Sequence, residues 1–300
     1  MKAVRKESKN GYVLITAARN EELFIERAIV SVARQTVLPL RWIIVDNGST
    51  DRTREVVTRN LARYPFLRLM VVKPSGEQFA QKVHAINLAY EQLRPLPFAF
   101  MGVLDADITV EPRYYEQLLA LFGQMPRLGI AGGTILEPTR GAFRARYGNA
   151  PDYVAGAVQM FRRRCFEAIG GYMPLPFAHE DTVASEMARM QGWEVVSFPH
   201  LQAWHHRQSG TGHGRLLRAR FCQGQADYAV GYHPLFELVK FARRLKEVPW
   251  LVGSTLRLSG YLWAALRRVQ RPVDRQFVAH LRARQMARVT QLLRRRALYA

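Results

Sequence analysis

The feature that most constrains the fold is a regular alternation of short apolar runs with segments of helical spacing. Residues 11–18 and 41–46 are rich in β-branched residues and end in polar ones, as strands buried on both faces do. The segment between them repeats apolar residues at helical spacing. The alternation continues as helix, strand, helix and strand over 53–62, 67–73, 79–94 and 98–104. This pattern predicts an α/β fold with a mostly parallel sheet flanked by helices.

Ligands of such sheets bind beyond the carboxyl ends of the strands, so the polar residues at those ends are candidates for a site. Asp105 and Asp107 close the predicted strand 98–104. Two carboxylates at this position suit a hard divalent cation such as Mg²⁺ or Mn²⁺, held together with nucleotide phosphates. The alternative is a pair of solvated turn aspartates.

The first two strands also end in polar residues. Asp46 precedes a turn through Asn47 and Gly48 and then a helix. A carboxylate placed there can accept hydrogen bonds from a ribose or a base. Thr16 and the Asn20–Glu21 pair close the first strand. The structural alternatives are a capped turn for the second segment and a simple helix entry for the first.

Three of these segments, ITAARNEE (15–22), VDNGSTDRT (45–53) and LDAD (104–107), together resemble the family 2 glycosyltransferases of GT-A fold. The resemblance continues with IGGY (169–172), which precedes a Glu-Asp pair at the start of a predicted helix. It extends from residue 11 to about residue 206, and the last hundred residues match only loosely. A GT-A, Rossmann-like sheet is therefore the implied fold.

The resemblance implies a metal-dependent enzyme that uses a nucleotide-diphosphate sugar as donor and a hydroxyl group as acceptor. Mn²⁺ or Mg²⁺ would be held by Asp105 and Asp107, with His205 or His206 as a further ligand. The residues leave open which histidine it is. Instead of binding the donor, Lys82 and Asn87 could be solvated residues on a helix, and Arg220 could belong to a basic segment without a binding role. The predicted donor-binding residues are Thr16, Asn20, Glu21, Asp46, Lys82, Asn87, Asp105 and Arg220.

Glu180 and Asp181 match the family's acidic pair, whose aspartate is the general base. The resemblance thus implies that Asp181 accepts the acceptor's proton in an inverting displacement, while Glu180 orients the acceptor. Two acids that only stabilise a helix N-terminus are the alternative. Asn47 replaces an acid that is common in the family, so the nucleobase stays open. The Gln-x-x-Arg-Trp motif of processive synthases is not recognised, which favours a single sugar addition.

Beyond residue 128 the sequence is less regular. The Gly-rich segment 129–133 leads into a region of Gly, Arg and aromatic residues up to Asp152, and this region is predicted to form loops. Residues 165–169 and 180–191 are predicted as helices and 193–198 as a strand. The Arg- and Gly-rich stretch 207–228 is predicted to be a mobile loop, and basic amphipathic helices are predicted from about residue 240. The predicted domains are a catalytic domain over 1–235 and a basic helical extension over 236–300.

Charge is concentrated near the C-terminus. The chain has a net charge of +20, and residues 201–300 hold 19 Lys or Arg against four Asp or Glu. Such a surface suits phosphates or anionic lipid. Nucleic acid is not an expected partner, because no zinc pattern, helix-turn-helix or RNP motif is recognised.

A membrane surface is the expected partner of the C-terminal region. The weakly polar stretch 248–266 carries Arg257 at its middle, so we expect it to lie in the membrane interface, with Trp250, Tyr261 and Trp263 at that level. The alternatives are a spanning helix, or packing on the catalytic domain or a second subunit. Residues 1–22 show no secretory signal pattern, which predicts a cytoplasmic protein peripheral to the inner face of the cell membrane.

The predicted function is transfer of a sugar to a hydroxyl acceptor in a glycan or lipid-linked glycan of the cell envelope. The alternative is a catalytically inactive GT-A domain that binds a nucleotide sugar, a membrane or a partner protein. The sequence does not decide the sugar, the nucleotide, the acceptor or the oligomeric state.

Overall fold

The computed structural model describes residues 11–73, 78–139, 141–146, 149–207, 216–245 and 251–297 of the 300-residue chain. The chain divides into two compact units. One comprises Met1–Pro176 and Glu180–Gln208, and the other comprises Phe177–His179 and Ser209–Ala300. The functional division predicted at residue 235 stays a prediction.

The first unit alternates strands and helices as the sequence predicts. Its strands are β1 (Tyr12–Ala18), β2 (Arg41–Asn47), β3 (Leu67–Val72), β4 (Phe100–Val103), β5 (Ile108–Val110), β6 (Leu128–Thr139), β7 (Ala142–Ala145), β8 (Met160–Arg162) and β9 (Glu194–His205). Its helices are α1 (Ile25–Ala33), α2 (Thr53–Leu61), α3 (Gln78–Leu93), α4 (Tyr114–Gln124), α5 (Arg163–Ala168) and α6 (Glu180–Met190).

These strands form a single sheet in the order β3-β2-β1-β4-β8-β6-β9-β5, with β7 beside β6. The pairs β1–β2, β2–β3 and β1–β4 are parallel, whereas β8 pairs antiparallel with β4 and β6. The α/β prediction is confirmed. Because β1, β2 and β4 are parallel, their carboxyl ends meet at one edge of the sheet, where the candidate polar residues lie.

Apolar side chains cover both faces of the sheet. On β1, Tyr12 and Leu14 join a buried cluster with residues of α1, α2 and α4. Val13 and Ile15 point the other way, into a cluster with residues of α3, α5 and α6. Period-two alternation thus gives each face its own core, as expected for a strand buried on both sides.

The loop prediction for the region up to Asp152 is wrong where β6 and β7 form, because these two strands pair with each other. Glycine in β6 serves close packing. A Cβ on Gly133 would collide with the carbonyl of Leu201 in β9, and one on Gly132 would meet Val154 and the carbonyl of Val158. Strand β9 is also longer than the predicted 193–198.

The second unit is helical. Its helices are α7 (Leu216–Val230), α8 (Pro234–Arg243), α9 (Val252–Leu266) and α10 (Arg275–Ala297). The loop predicted over 207–228 is therefore wrong for residues 216–228, and its residues 208–215 lie outside the described residues. A Cβ on Gly224 would collide with the carbonyl of Arg257, and one on Gly260 with the carbonyl of Phe221. These glycines let the backbones of α7 and α9 touch.

Asp227 of α7 is the centre of a buried ionic cluster in this unit. Its carboxylate is fully buried and pairs with Lys240 Nζ at 2.9 Å and with Arg257 Nε at 2.6 Å. His179 Nε2 lies 2.9 Å from the same carboxylate. Burial alone would raise the pKa of Asp227, but the charges of Arg257 and Lys240 outweigh it and hold the pKa well below its usual value.

Replacing Asp227 by Ala is expected to destabilise the protein by about 3–5 kcal/mol, because the buried Arg257 loses its paired carboxylate and Lys240 keeps only Glu237. Urea unfolding followed by circular dichroism measures this loss, and Glu194→Ala, at an exposed position, is the matched control. A loss below about 1 kcal/mol for Asp227→Ala would contradict the importance of the cluster.

The stretch 248–266 begins in residues that are not described and continues as α9. Tyr261 is buried and its hydroxyl donates to the Tyr232 carbonyl at 2.8 Å, so its predicted interfacial position is wrong. Trp250 lies outside the described residues. In the part of the chain that the structure describes, the helices are all too short or too polar to cross a membrane.

Candidate active site

The end of β1 is tied to the turn that follows β2. Asn20 has a left-handed backbone, with a φ of 57°, and its Oδ1 accepts a hydrogen bond from the Thr50 amide at 2.8 Å. The Glu21 amide donates to Thr53 Oγ1 at 2.7 Å. These contacts hold the Asn20–Glu21 pair at the sheet edge. They use the Asn20 carbonyl oxygen within the protein, and its predicted contact to a donor stays a prediction.

Asp46 lies at the end of β2 with a fully buried side chain. Its Oδ1 accepts from the Ser49 amide at 2.9 Å, and its Oδ2 accepts from Arg54 Nε at 2.9 Å. The carboxylate therefore shapes the turn between β2 and α2, which is the structural alternative seen in the sequence. A contact from Asp46 to a nucleoside stays a prediction.

The Thr16 hydroxyl is also satisfied inside the protein. It donates to the Leu104 carbonyl at 2.6 Å and accepts from Trp42 Nε1 at 3.0 Å, and the residue is fully buried. Thr16 thereby joins β1 to the chain just before Asp105. This placement positions the acidic motif, and a direct contact to the donor stays a prediction.

Asp107 meets His205 because β5 and β9 pair antiparallel, with Ile108 opposite His205. His205 Nε2 lies 3.0 Å from Asp107 Oδ2. On the other side of the ring, Nδ1 lies 3.4 Å from Glu137 Oε1. The imidazole is thus held between two carboxylates, one at each nitrogen.

The structure separates the two adjacent histidines. His206 Nε2 lies 2.9 Å from the Thr109 hydroxyl, and its ring packs edge-on against Phe143. The backbone amide of His206, rather than its ring, contacts Asp107, by donating to its carbonyl at 3.0 Å. Of the two candidate ligands, His205 is the one whose ring faces the carboxylate of the acidic motif.

Asp107 and His205 each shift the pKa of the other. Burial would lower the pKa of His205, but hydrogen bonds to Asp107 and Glu137 outweigh it and raise the pKa to about 9. Burial would raise the pKa of Asp107, but the hydrogen bond from His205 and the charges of His205 and Arg207 hold it below its usual value. Asp107 is therefore ionised, as a metal ligand has to be, whereas His205 has to release a proton when it binds a metal ion.

The donors at Asp107 and His205 fit a divalent cation. An imidazole that faces one carboxylate and is supported from behind by another is the common arrangement of a metal-binding histidine. Across the described ranges no cluster of three or more His, Cys, Asp or Glu suits a metal ion. Two protein donors nonetheless suffice for Mg²⁺ or Mn²⁺ when phosphate oxygens and water complete the shell.

Lys82 joins the acidic motif to the acidic pair. Its Nζ lies 2.9 Å from Asp105 Oδ1 and 3.6 Å from Glu180 Oε1. Burial would lower the pKa of Lys82, but the carboxylates of Asp105 and Glu180 outweigh it and raise the pKa. Asp105 and Glu180, far apart in sequence, thus share one ammonium group.

Asp181 lies in the first turn of α6, and its carboxylate accepts several hydrogen bonds. Its Oδ2 accepts from the Tyr153 hydroxyl at 2.7 Å and from the Gly156 amide at 3.0 Å, and its Oδ1 accepts from the Thr182 amide at 2.6 Å. This fixes the orientation of the group. Burial raises the pKa of the neighbouring Glu180, and the Lys82 charge only partly offsets this effect.

The sequence indicated Arg207 only as one of several basic residues of the stretch 207–228, which was expected to close over a diphosphate. Its Nη2 lies 2.7 Å from Glu21 Oε1 and 2.6 Å from Asp107 Oδ2. Glu21 Oε2 is buried without a hydrogen-bond partner among the described residues. Burial is the main cause that raises the pKa of Glu21 to about 7, against the hydrogen bond from Arg207. A guanidinium beside the acidic motif is a ready ligand for a diphosphate.

Two predicted donor residues have other partners. Asn87 Nδ2 donates to the Tyr172 carbonyl at 2.8 Å, and its Oδ1 accepts from the Tyr172 amide at 3.3 Å. Asn87 therefore clamps the IGGY segment. Arg220 lies in α7 of the second unit, where Nη1 donates to Gln223 Oε1 at 3.3 Å. Their contacts to a donor stay predictions.

Comparison with known proteins decides the family. The family model described as "Glycosyl transferase family 2" matches residues 13–177, more than half of the chain. The chain belongs to glycosyl transferase family 2. The resemblance carried by the sequence motifs is thereby confirmed, and the protein is a glycosyltransferase.

Relatives of this family 2 glycosyltransferase include an N-acetylglucosaminyl-diphospho-decaprenol L-rhamnosyltransferase of Mycobacterium tuberculosis. It is 24% identical over 232 residues, which cover 63% of this chain and 73% of the relative. A chondroitin synthase of Pasteurella multocida is 32% identical over 99 residues, which cover 33% of this chain and 9% of the synthase.

Solved structures show the same fold. The mannosyltransferase PcManGT of Pyrobaculum calidifontis, solved with GDP-Man and Mn²⁺, superposes with a TM-score of 0.58 at 16% identity, covering 86% of this chain and 87% of that one. S. aureus TarS in complex with UDP-GlcNAc gives 0.52 at 13% identity, covering 90% and 78%. The family 2 enzyme described here therefore has the GT-A fold predicted from its sequence.

Proposed function

We propose that this glycosyltransferase adds a single sugar, with inversion at the anomeric carbon, from a nucleotide-diphosphate donor to a hydroxyl of a lipid-linked glycan of the cell envelope. The observation that supports this best is the Lys82 bridge. It joins Asp105, in the motif for donor and metal, to Glu180, beside the proposed base. Donor chemistry and acceptor chemistry then share one site.

In the proposed reaction, the acceptor hydroxyl oxygen attacks the anomeric carbon from the face opposite the diphosphate. Asp181 accepts the hydroxyl proton as the carbon–oxygen bond forms. The bond to the diphosphate breaks, and the nucleoside diphosphate leaves with the electron pair. The hydrogen bonds from Tyr153 and Gly156 hold Asp181 in a fixed orientation for this step.

Cationic groups neutralise the leaving diphosphate. Arg207 and Lys82 supply two positive charges beside the acidic motif. Asp107 and His205 would hold Mn²⁺ or Mg²⁺, with Asp105 nearby in sequence, and the cation would supply Lewis-acid stabilisation of the diphosphate charge. The alternative of an inactive binding module predicts the loss of one of the acidic sets, and this chain retains both.

A lipid-linked acceptor is supported by the mycobacterial relative, which is named for a decaprenol-linked substrate. It is also supported by the net charge of the C-terminal hundred residues, which suits an anionic surface. We therefore propose that the protein acts at the inner face of the cell membrane.

A donor screen tests this function. The full chain is incubated with UDP-, GDP- and dTDP-sugars and Mn²⁺ or Mg²⁺, and released nucleoside diphosphate is measured with and without a lipid extract as acceptor. We expect one donor class to be used, with release stimulated by the extract. Absence of release from every donor in each condition would contradict the proposed function.

A further inference from the structure

In the helices α7, α8 and α9, one group of charged side chains is paired inside the unit, while several large apolar side chains are exposed. Asp227 and Glu237 are buried at 0% and 3% exposure. Lys240 Nζ pairs with both of them, at 2.9 Å and 2.7 Å, and Arg257 pairs with Asp227 at 2.6 Å. The one charge in α9 is therefore neutralised inside the protein.

The inner face of α9 is fixed against α7. Gly253, Ser254, Gly260, Tyr261 and Ala264 are the buried residues of α9, and all are small except Tyr261. They follow helical spacing, so they form one face of the helix. This face has a protein partner, and the opposite face needs its own explanation.

The outer face of α9 is apolar at its C-terminal end. The exposed positions 252, 255, 259, 262, 263 and 266 also follow helical spacing, and Thr255 and Ser259 are the polar residues among them. Val252, Leu262, Trp263 and Leu266 are exposed by 49%, 51%, 42% and 84%. Leu262, Trp263 and Leu266 lie together in the last turns of α9, and large apolar side chains exposed together indicate an interaction surface.

Arginines continue this face. Arg267 and Arg268 directly follow Leu266, and both are exposed. The Arg267 guanidinium lies 5.8 Å from the centre of the Trp263 ring. A Trp and leucines beside two arginines match the two layers of an anionic membrane surface, because aromatic and apolar groups enter the headgroup region while cations meet phosphates.

We propose that the outer face of α9 is a membrane-docking surface, in which Leu262, Trp263 and Leu266 enter an anionic lipid surface and Arg267 and Arg268 bind its headgroups. This proposal rests on the proposed function, because the docking surface would keep the enzyme beside a lipid-linked acceptor. The alternative occupant, a second copy of the chain, offers no charge complementarity, because that copy carries the same +20.

Vesicle flotation of the full chain tests this docking surface. One set of vesicles contains about 70% phosphatidylcholine and about 30% phosphatidylglycerol, and the other contains phosphatidylcholine alone, each at about 50 mM and about 500 mM salt. We expect binding to the anionic vesicles at low salt, with a weaker residual association at high salt.

Variants separate the apolar and the cationic contributions. Leu262→Ser with Leu266→Ser is expected to weaken binding by about 100-fold, about tenfold for each exposed side chain that no longer enters lipid. Arg267→Gln with Arg268→Gln is expected to remove most of the salt dependence. Leu38→Ser, at a residue of the first unit that is 45% exposed, is the matched control and is expected to bind like the wild type.

Three outcomes would overturn the docking surface. The first is that the wild type does not bind anionic vesicles, and the second is that the Leu262 and Leu266 double variant binds them as tightly as the wild type. The third is that light scattering shows a dimer for the wild type and a monomer for the double variant, while neither protein binds vesicles. The last outcome would assign the face to self-association. Nucleoside diphosphate release from the donor, measured without vesicles, is expected to be unchanged in these variants. Absence of nucleoside diphosphate release by the wild type from every donor would instead contradict the proposed function.

Discussion

Replacing Asp181 by Asn is expected to lower kcat by about 10²- to 10⁴-fold, the usual contribution of a positioned general base. The amide cannot accept a proton from the acceptor hydroxyl during attack. Donor KM is expected to change little, because the group acts on the acceptor. Steady-state release of nucleoside diphosphate gives kcat and KM, and product NMR is expected to show an inverted anomeric configuration.

Two comparison variants sharpen this experiment. Glu180→Gln removes the neighbouring charge and is expected to reduce kcat less than Asp181→Asn does. Glu194→Gln, at the exposed start of β9, is expected to behave like the wild type. Because Asp181→Asn replaces the carboxylate that accepts from the Gly156 amide with a weaker acceptor, thermal unfolding is measured for each variant. A larger effect at Glu180, or a retained configuration, would contradict Asp181 as the base of an inverting reaction.

The sequence predicted the parallel half of the sheet because local patterns determine it. Short apolar runs, helical periodicity and acidic residues at strand ends all depend on short-range spacing. The confirmed elements β1, β2, β3 and β4 follow those patterns closely. The strand ends were also informative, since the topology brings Glu21, Asp46 and Asp105 to one edge.

The two mistaken loop predictions have one cause, which is glycine interpreted as a loop signal. In β6, Gly132 and Gly133 allow strands and turns to approach more closely than a Cβ permits. In α7, Gly224 does the same for α9. Close approach is a property of the tertiary partner, and the partner lies far along the sequence. Local propensity therefore could not distinguish these glycines from turn glycines.

The supporting residues of the site were missed for a related reason. Glu137 reaches His205 because Leu136 pairs with Trp204 across β6 and β9, and the sequence prediction placed β6 in a loop. Tyr153 reaches Asp181 from the segment between β7 and β8. Such partners become visible only when strand pairing is known, whereas the acidic residues themselves stand out by their place at element ends.

Removal of divalent cations is expected to lower turnover by about 1,000-fold or more, because a cation at the diphosphate supplies several kcal/mol of charge stabilisation. Binding can be measured without turnover, by electron paramagnetic resonance of Mn²⁺ titrated into the chelator-treated protein with nucleoside diphosphate. Activity in excess chelator equal to that with Mn²⁺ would remove the metal from the mechanism and leave Lys82 and Arg207 as the neutralising charges.

The two adjacent histidines make a matched pair for the same titration. His205 faces Asp107 and is supported by Glu137, whereas the His206 ring contacts Thr109. Loss of an outer partner of a metal ligand costs about 10- to 100-fold in affinity, so loss of a ligand should cost at least about 100-fold. We therefore expect His205→Gln and Asp107→Asn to weaken Mn²⁺ binding by that factor, and His206→Gln to change it less than about twofold. Equal losses at both histidines would show that the β5–β9 pairing does not select the ligand, and a loss at His206 alone would assign the metal to the other face of the strand.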